Sequence, residues 1–138
     1  MNVRGLSRRV GIVASLLTVL VLVAPYVVVA GHQELLLAYY AAGPVGSGGI
    51  GLFALLSTVA FASIERGNVD PGTLAGVVVA LGVATVVLAV AWELAIDPTV
   101  RFGFPATYRW IEWHAPAVVA ASLPIPVCGG LYARELFA

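Results

Sequence analysis

The sequence contains no lysine, one cysteine and very little charge: seven arginines and seven acids make up 10% of 138 residues, and the formal net charge is zero. An ordinary soluble domain carries about a quarter charged residues. So few polar groups cannot cover the surface of a water-borne fold of this size. No basic patch exceeds Arg4, Arg8 and Arg9, which excludes an electrostatically held nucleic-acid partner. The lone Cys128 excludes an intrachain disulfide and any Cys-x-x-Cys zinc or redox motif. No His-x-x-His or Glu-x-x-His pattern accompanies the two histidines, and no nucleophile–base motif surrounds the serines. The all-arginine set of basic residues reads as the mark of a GC-rich genome and says nothing of mechanism.

Apolar residues fill the space left by charge. They make up 61% of the chain, with a mean hydropathy of +1.02, and they fall into runs at about 10–30, 46–64, 71–95 and 115–132. A helix needs about 20 apolar residues to cross a bilayer. The chain therefore reads as one integral membrane domain over 1–138. Its fold class is all-α, a four-helix transmembrane bundle running up-down-up-down, with the fourth helix kinked by Pro124 and Pro126. In the first run, Ser15 and Thr18 can bond back to helix carbonyls, and Pro25 predicts a kink. Arg8 and Arg9 before it and Val29-Ala30-Gly31 after it also suit a signal peptide. However, the run exceeds the usual 7–15-residue signal core, which favours an uncleaved anchor.

The connections carry the punctuation. Gln33–Ala42 has helix formers, with Tyr39 and Tyr40 suited to an interfacial belt, and Gly43-Pro44-Val45-Gly46-Ser47-Gly48-Gly49 breaks the helix. Glu65-Arg66-Gly67-Asn68 ends the second run, Asp70-Pro71 reads as an N-cap followed by a first-turn proline, and Asp97-Pro98 as a stop. With four spans both termini share a side. That side collects Arg4, Arg8, Arg9, Arg66 and Arg134 against Arg101 and Arg109 opposite. The positive-inside rule then places both termini in the cytoplasm of a multi-pass cell-membrane protein.

Two sets of small residues recur at helical spacing: Gly72, Gly76, Ala80 and Ala84 in the third run, and Ser47, Gly51, Ala54, Thr58 and Ala62 in the second. Each set predicts a close contact between these helices or with another copy. Among chemistry-bearing residues, His32 and His114 lie at the outer ends of their spans. They are candidate haem or metal ligands, weighed against plain interfacial imidazoles facing water. Glu93, Arg101, Arg109 and Glu112 form a candidate polar cluster on the outer side, either paired structurally or serving as an entry site. Gly43–Gly51 lacks the Gly-Lys-Ser/Thr ending of a phosphate loop and reads as a hinge, and Cys128 reads as a small core residue.

The whole chain, with its four apolar runs and arginine bias, resembles the small uncharacterised four-span membrane proteins of haloarchaea. No diagnostic motif carries that resemblance, which implies no activity and transfers no functional residue. The expectation is a non-enzymatic membrane protein without catalytic residues, cofactor or metal. It acts as an accessory, assembly or structural subunit through helix packing, with the lipid bilayer and a homo-oligomer or larger membrane complex as partners. The alternatives are a small transporter or channel using the outer cluster, and a redox subunit using His32 and His114.

Overall fold

Helices form along the apolar runs and stop where local chemistry stops them. The computed structural model describes residues 3–29, 31–42, 46–67 and 70–137. In it α1 spans Val3–Val28, α2 Gln33–Tyr40, α3 Ser47–Arg66, α4 Pro71–Ala95 and α5 Pro98–Arg101; a 3₁₀ helix covers Ala106–Trp113, followed by α6 His114–Ser122 and α7 Pro124–Phe137. Four of these stretches are long and apolar enough to cross a membrane: α1, α3, α4, and the run from the 3₁₀ helix through α7. The expected break at Gly43-Pro44-Val45, and Ala30 and Asn68 of the expected turns, lie outside the described residues.

The predicted caps are in place. Asp70 Oδ2 accepts from the Thr73 backbone N–H at 3.1 Å with Pro71 opening α4, satisfying one of the donors a helix start leaves free. Asp97 does more than end α4. Its Oδ1 accepts from the Thr99 N–H at 2.9 Å and the Thr99 hydroxyl at 2.8 Å, capping α5. Those bonds hold its carboxyl below the ordinary carboxylate range. Gly67, at φ 70°, closes α3 in the left-handed conformation.

Each long helix turns one stripe inward. On α1 the buried positions are Ser7, Gly11, Ala14, Ser15, Thr18, Leu22 and Pro25. On α4 they are Leu74, Ala75, Val78, Gly82, Thr85, Ala89 and Trp92. Steps of three and four residues align such positions on one helix face. The outward faces stay oily: Val13 is 63% exposed, Leu20 64%, Val59 61% and Val87 58%. In water such a surface would drive association; against hydrocarbon it needs no cover.

The spans pack α1 on α3, α3 on α4, α4 on α7 and α7 on α1, a closed ring. Neighbours run antiparallel. Gly11 of α1 lies under the Phe61 ring near the end of α3, while Gly51 at the start of α3 approaches Leu22. Gly72 at the start of α4 lies near Phe137 at the end of α7. Hydroxyls inside the ring are satisfied locally: Ser15 bonds the Gly11 carbonyl, Thr18 that of Ala14, Ser57 that of Phe53 and Thr85 that of Leu81. This is the back-bonding that lets a hydroxyl sit in a dry interior.

The fourth span breaks at Leu123, between α6 and α7, because Pro124 and Pro126 each lack a donor and crowd the preceding turn. Gly82 of α4 meets this break directly: a Cβ there would stand 2.6 Å from Pro126 N and 2.7 Å from its Cα. One turn away, a Cβ on Gly129 would lie 3.1 Å from Val79 N. The two backbones approach here because each of these contacts has a glycine on one side.

The α4 small-residue stripe, expected to contact a neighbouring helix or another copy, faces mostly outward within the chain. Gly76 and Ala80 are exposed, Gly72 and Ala84 half-buried, and a Cβ on Gly76 meets nothing within 4 Å. The inward face is set instead by the stripe from Leu74 to Trp92, which sets Leu74, Val78 and Trp92 in the core and Gly82 against Pro126. The α3 stripe does face inward, but toward α1: Ala54 is fully buried, Gly51 approaches Leu22, and Thr58 Oγ1 lies 2.8 Å from Ser15 Oγ; Ser47 is half-buried at its head.

Gly82→Ala is expected to lower stability by about 1–3 kcal/mol through overpacking against Pro126, whereas Gly76→Leu stays within about 0.5 kcal/mol, as for an open surface site. Thermal melts of both variants in detergent check this; equal losses would contradict it.

Candidate functional site

Pro25 sits inside α1, buried, and it has no N–H to give to the carbonyl four residues back. That carbonyl belongs to Val21. A donor from another helix fills the vacancy: His114 Nε2, from the first residue of α6, points at the Val21 oxygen. A carbonyl only accepts, so Nε2 carries the proton. The neutral ring then presents a lone pair at Nδ1, and the Tyr39 hydroxyl donates to it at 2.7 Å.

Tyr40 repairs the next position. Its hydroxyl donates to the Leu22 carbonyl at 2.7 Å and accepts from the Tyr26 N–H at 3.3 Å, bridging the two groups that the next rung of α1 would join. Consecutive tyrosines of α2 thus serve α1 by two routes, one through His114 and one direct. Trp92 of α4 completes the set by donating from Nε1 to the Tyr39 carbonyl at 2.9 Å.

The rings pack as tightly as the polar atoms bond. Tyr39 and Trp92 meet edge-on with centroids 5.1 Å apart, Tyr40 and Trp92 lie parallel at 6.2 Å, and Phe104 stands edge-on to Tyr39 at 6.1 Å. These geometries suit the aromatic quadrupole. Gly31 at φ 79° and Gly46 at φ 71° flank α2 and let the chain turn onto and off this end of the bundle. Burial drives the Tyr39 phenol far above its ordinary pKa, and pushes Tyr40 up to about 12 against the opposing pull of the Tyr26 N–H.

Two expectations are corrected here. Tyr39 is not part of an interfacial belt but is fully buried, and His114 does not face water, being 4% exposed. Burial wins in both cases because their polar atoms find partners inside. The structure gives the two histidines separate surroundings: His32 is half-buried and edge-on to Tyr108, with centroids 6.0 Å apart, while His114 has both nitrogens engaged. Among the described residues no group of three or more His, Cys, Asp or Glu could hold a metal ion.

Of the polar cluster, Glu93 and Arg101 come together. Arg101 Nη2 lies 3.7 Å from Glu93 Oε1 and donates to the Glu93 carbonyl at 3.1 Å, tying α5 back onto the end of α4. Arg109 is exposed and Glu112 half-buried on the 3₁₀ helix, and neither joins that pair. Cys128 is buried in the core, beside Ile125 and Val78.

No sequence motif announces that Tyr39, Tyr40 and Trp92 converge on α1. The signal available was Pro25: a proline well inside a membrane-length run leaves a named carbonyl that needs a donor from elsewhere in the fold.

A closed ring of helices with oily outer faces, capped at one end by a bonded aromatic cluster, defines an all-α bundle whose four long helices can cross a membrane. The chain belongs to DUF7548, a family of unknown function, which it matches over residues 1–137. No curated protein and no solved structure matches it.

His114→Phe is expected to strand the Val21 carbonyl and the Tyr39 hydroxyl, and Tyr40→Phe the Leu22 carbonyl and the Tyr26 N–H. An unpaired group costs about 1–3 kcal/mol where it is buried, so the loss should be larger for His114→Phe than for Tyr40→Phe, whose Tyr26 N–H is exposed; thermal melts in detergent measure both. Stability should also depend on alkaline pH. Both phenols have pKa values raised above the unfolded value near 10, so their contribution is complete below pH 10 and is lost as pH rises through the folded values. The melting temperature should hold to about pH 10 and fall beyond it, less steeply in Tyr40→Phe. A flat profile there would refute the linkage.

Proposed function

We propose that the chain is a non-enzymatic, multi-pass membrane protein that works by presenting a helix face to another membrane helix, as an assembly or structural subunit. The carrying observation is the contrast between its interior and its α4 surface. The interior is filled by packed apolar side chains, and the Thr18, Ser57 and Thr85 hydroxyls within it are bonded to their own helices. Every described arginine and acid lies in a connection or near a span end. The α4 surface leaves Gly76 and Ala80 exposed beside Val83 and Val87, a smooth face of the kind membrane helices use for close approach.

Transport is the second reading. It would need an ionisable station at mid-depth, and the strongest candidate, Glu93, is instead tied to Arg101 at the end of its helix. A redox role for His114 would cost the Val21 and Tyr39 contacts. Both weigh against the alternatives. The end of the bundle holding the starts of α1 and α4 and the ends of α3 and α7 carries Arg4, Arg8, Arg9, Arg66 and Arg134, and the α2 end carries Arg101 and Arg109. That asymmetry supports cytoplasmic termini. The absence of lysine supports an archaeal source.

The test is the assembly state of the full chain extracted gently from its own membranes. A defined oligomer or complex is expected, and Gly76→Leu should release the chain from it while leaving its melting temperature unchanged. A wild-type chain that is monomeric at all extraction conditions would overturn the proposal.

A further inference from the structure

Where α1, α2 and the start of α3 diverge, two cavities of about 320 and 310 Å³ lie side by side with Tyr26 and Tyr40 lining both, two halves of one surface groove. Leu36 and Leu37 wall one half; Leu22, Val23, Ser47, Gly48 and Gly51 wall the other. The groove opens sideways, with Tyr26 71% and Leu37 69% exposed at its mouth. Its floor is open at Gly48, where an added Cβ would meet nothing within 4 Å. At its α2 end it shares Gln33 with a more polar cavity of about 490 Å³ lined by Gly31 to Leu35, including His32 and Glu34.

We infer that this groove holds one hydrocarbon chain of a bilayer lipid, with the lipid's polar end toward His32 and Gln33. The inference rests on the membrane placement proposed above. Three observations choose this occupant. The groove opens onto the same oily face as the exposed leucines and valines of the spans, so hydrocarbon is what meets its mouth. The Tyr40 hydroxyl at its shared wall is already bonded to Leu22 and Tyr26, so that polar atom asks for no partner. Its polarity rises in one direction only, toward the α2 N-terminus, which is the gradient of a lipid and not of a transmembrane helix. Left empty, the lining would forfeit its dispersion contacts.

The glycine floor supplies a clean block. Gly48→Leu fills open space at a helical position where leucine is favoured over glycine, so the fold is retained. Gly130→Leu, also facing open space but on α7, is the control. The full chain is reconstituted in phosphatidylcholine vesicles doped with phosphatidylcholine carrying a diazirine in its acyl chain, irradiated, and the adducts mapped by mass spectrometry. Adducts are expected at Tyr26, Leu37 and Tyr40 in several-fold excess over Val13, Leu20 and Val87. Gly48→Leu should remove that excess and Gly130→Leu should keep it. Even labelling of all exposed apolar residues, or an excess untouched by Gly48→Leu, overturns the inference while leaving the membrane placement standing. No adducts at any span residue would overturn the placement and the inference together.

Discussion

A proline inside a helix leaves a carbonyl with no partner, and in a dry surround that carbonyl must find one elsewhere. Pro25 imposes this on Val21, and the α2 end of the bundle is arranged around the answer. His114 supplies the donor, which fixes its tautomer; the tautomer turns Nδ1 into an acceptor; Tyr39 fills it. Tyr39 is held in turn by Trp92 through its carbonyl. One missing N–H therefore sets the positions of groups on α1, α2, α4 and α6. The satisfied network is rigid for the same reason it would be costly to disturb, since each member removed strands another.

The far side of the ring solves a different problem with a similar tool. Pro124 and Pro126 break the fourth span, and α4 answers with Gly82, whose missing side chain lets its backbone lie against Pro126. Here the proline is accommodated by proximity instead of by a donor. A kink that bulges toward a neighbour needs a neighbour with a flat surface at that level, and glycine is the flattest.

The fold was largely legible because its signals are strong and local. Long apolar runs, the Asp70-Pro71 cap and the double proline of the fourth span each have one reading in hydrocarbon, and each appears where the residues put it. Facing was less legible. Where every side of α4 is apolar, hydrophobic periodicity cannot say which stripe turns inward, and spacing alone did not separate a contact within the chain from one with another copy for the outward-facing Gly76 stripe. The site was least legible because it is made by pairing across long separations. Tyr39 with His114 and Trp92 with the Tyr39 carbonyl join residues 75 and 53 positions apart, and nothing in a single sequence ties those positions together. Glu93 with Arg101, eight positions apart, was within reach of spacing alone.

The two repairs of α1 also differ in when the chain can make them. Tyr40 follows Leu22 by 18 positions, so the Leu22 carbonyl can be sealed soon after the first span emerges. His114 follows Val21 by 93 positions, after three of the four spans have been made. A chain that ends before α6 would leave the Val21 carbonyl of α1 an open acceptor, so the N-terminal helix depends for its last hydrogen bond on the helix most distant from it in sequence.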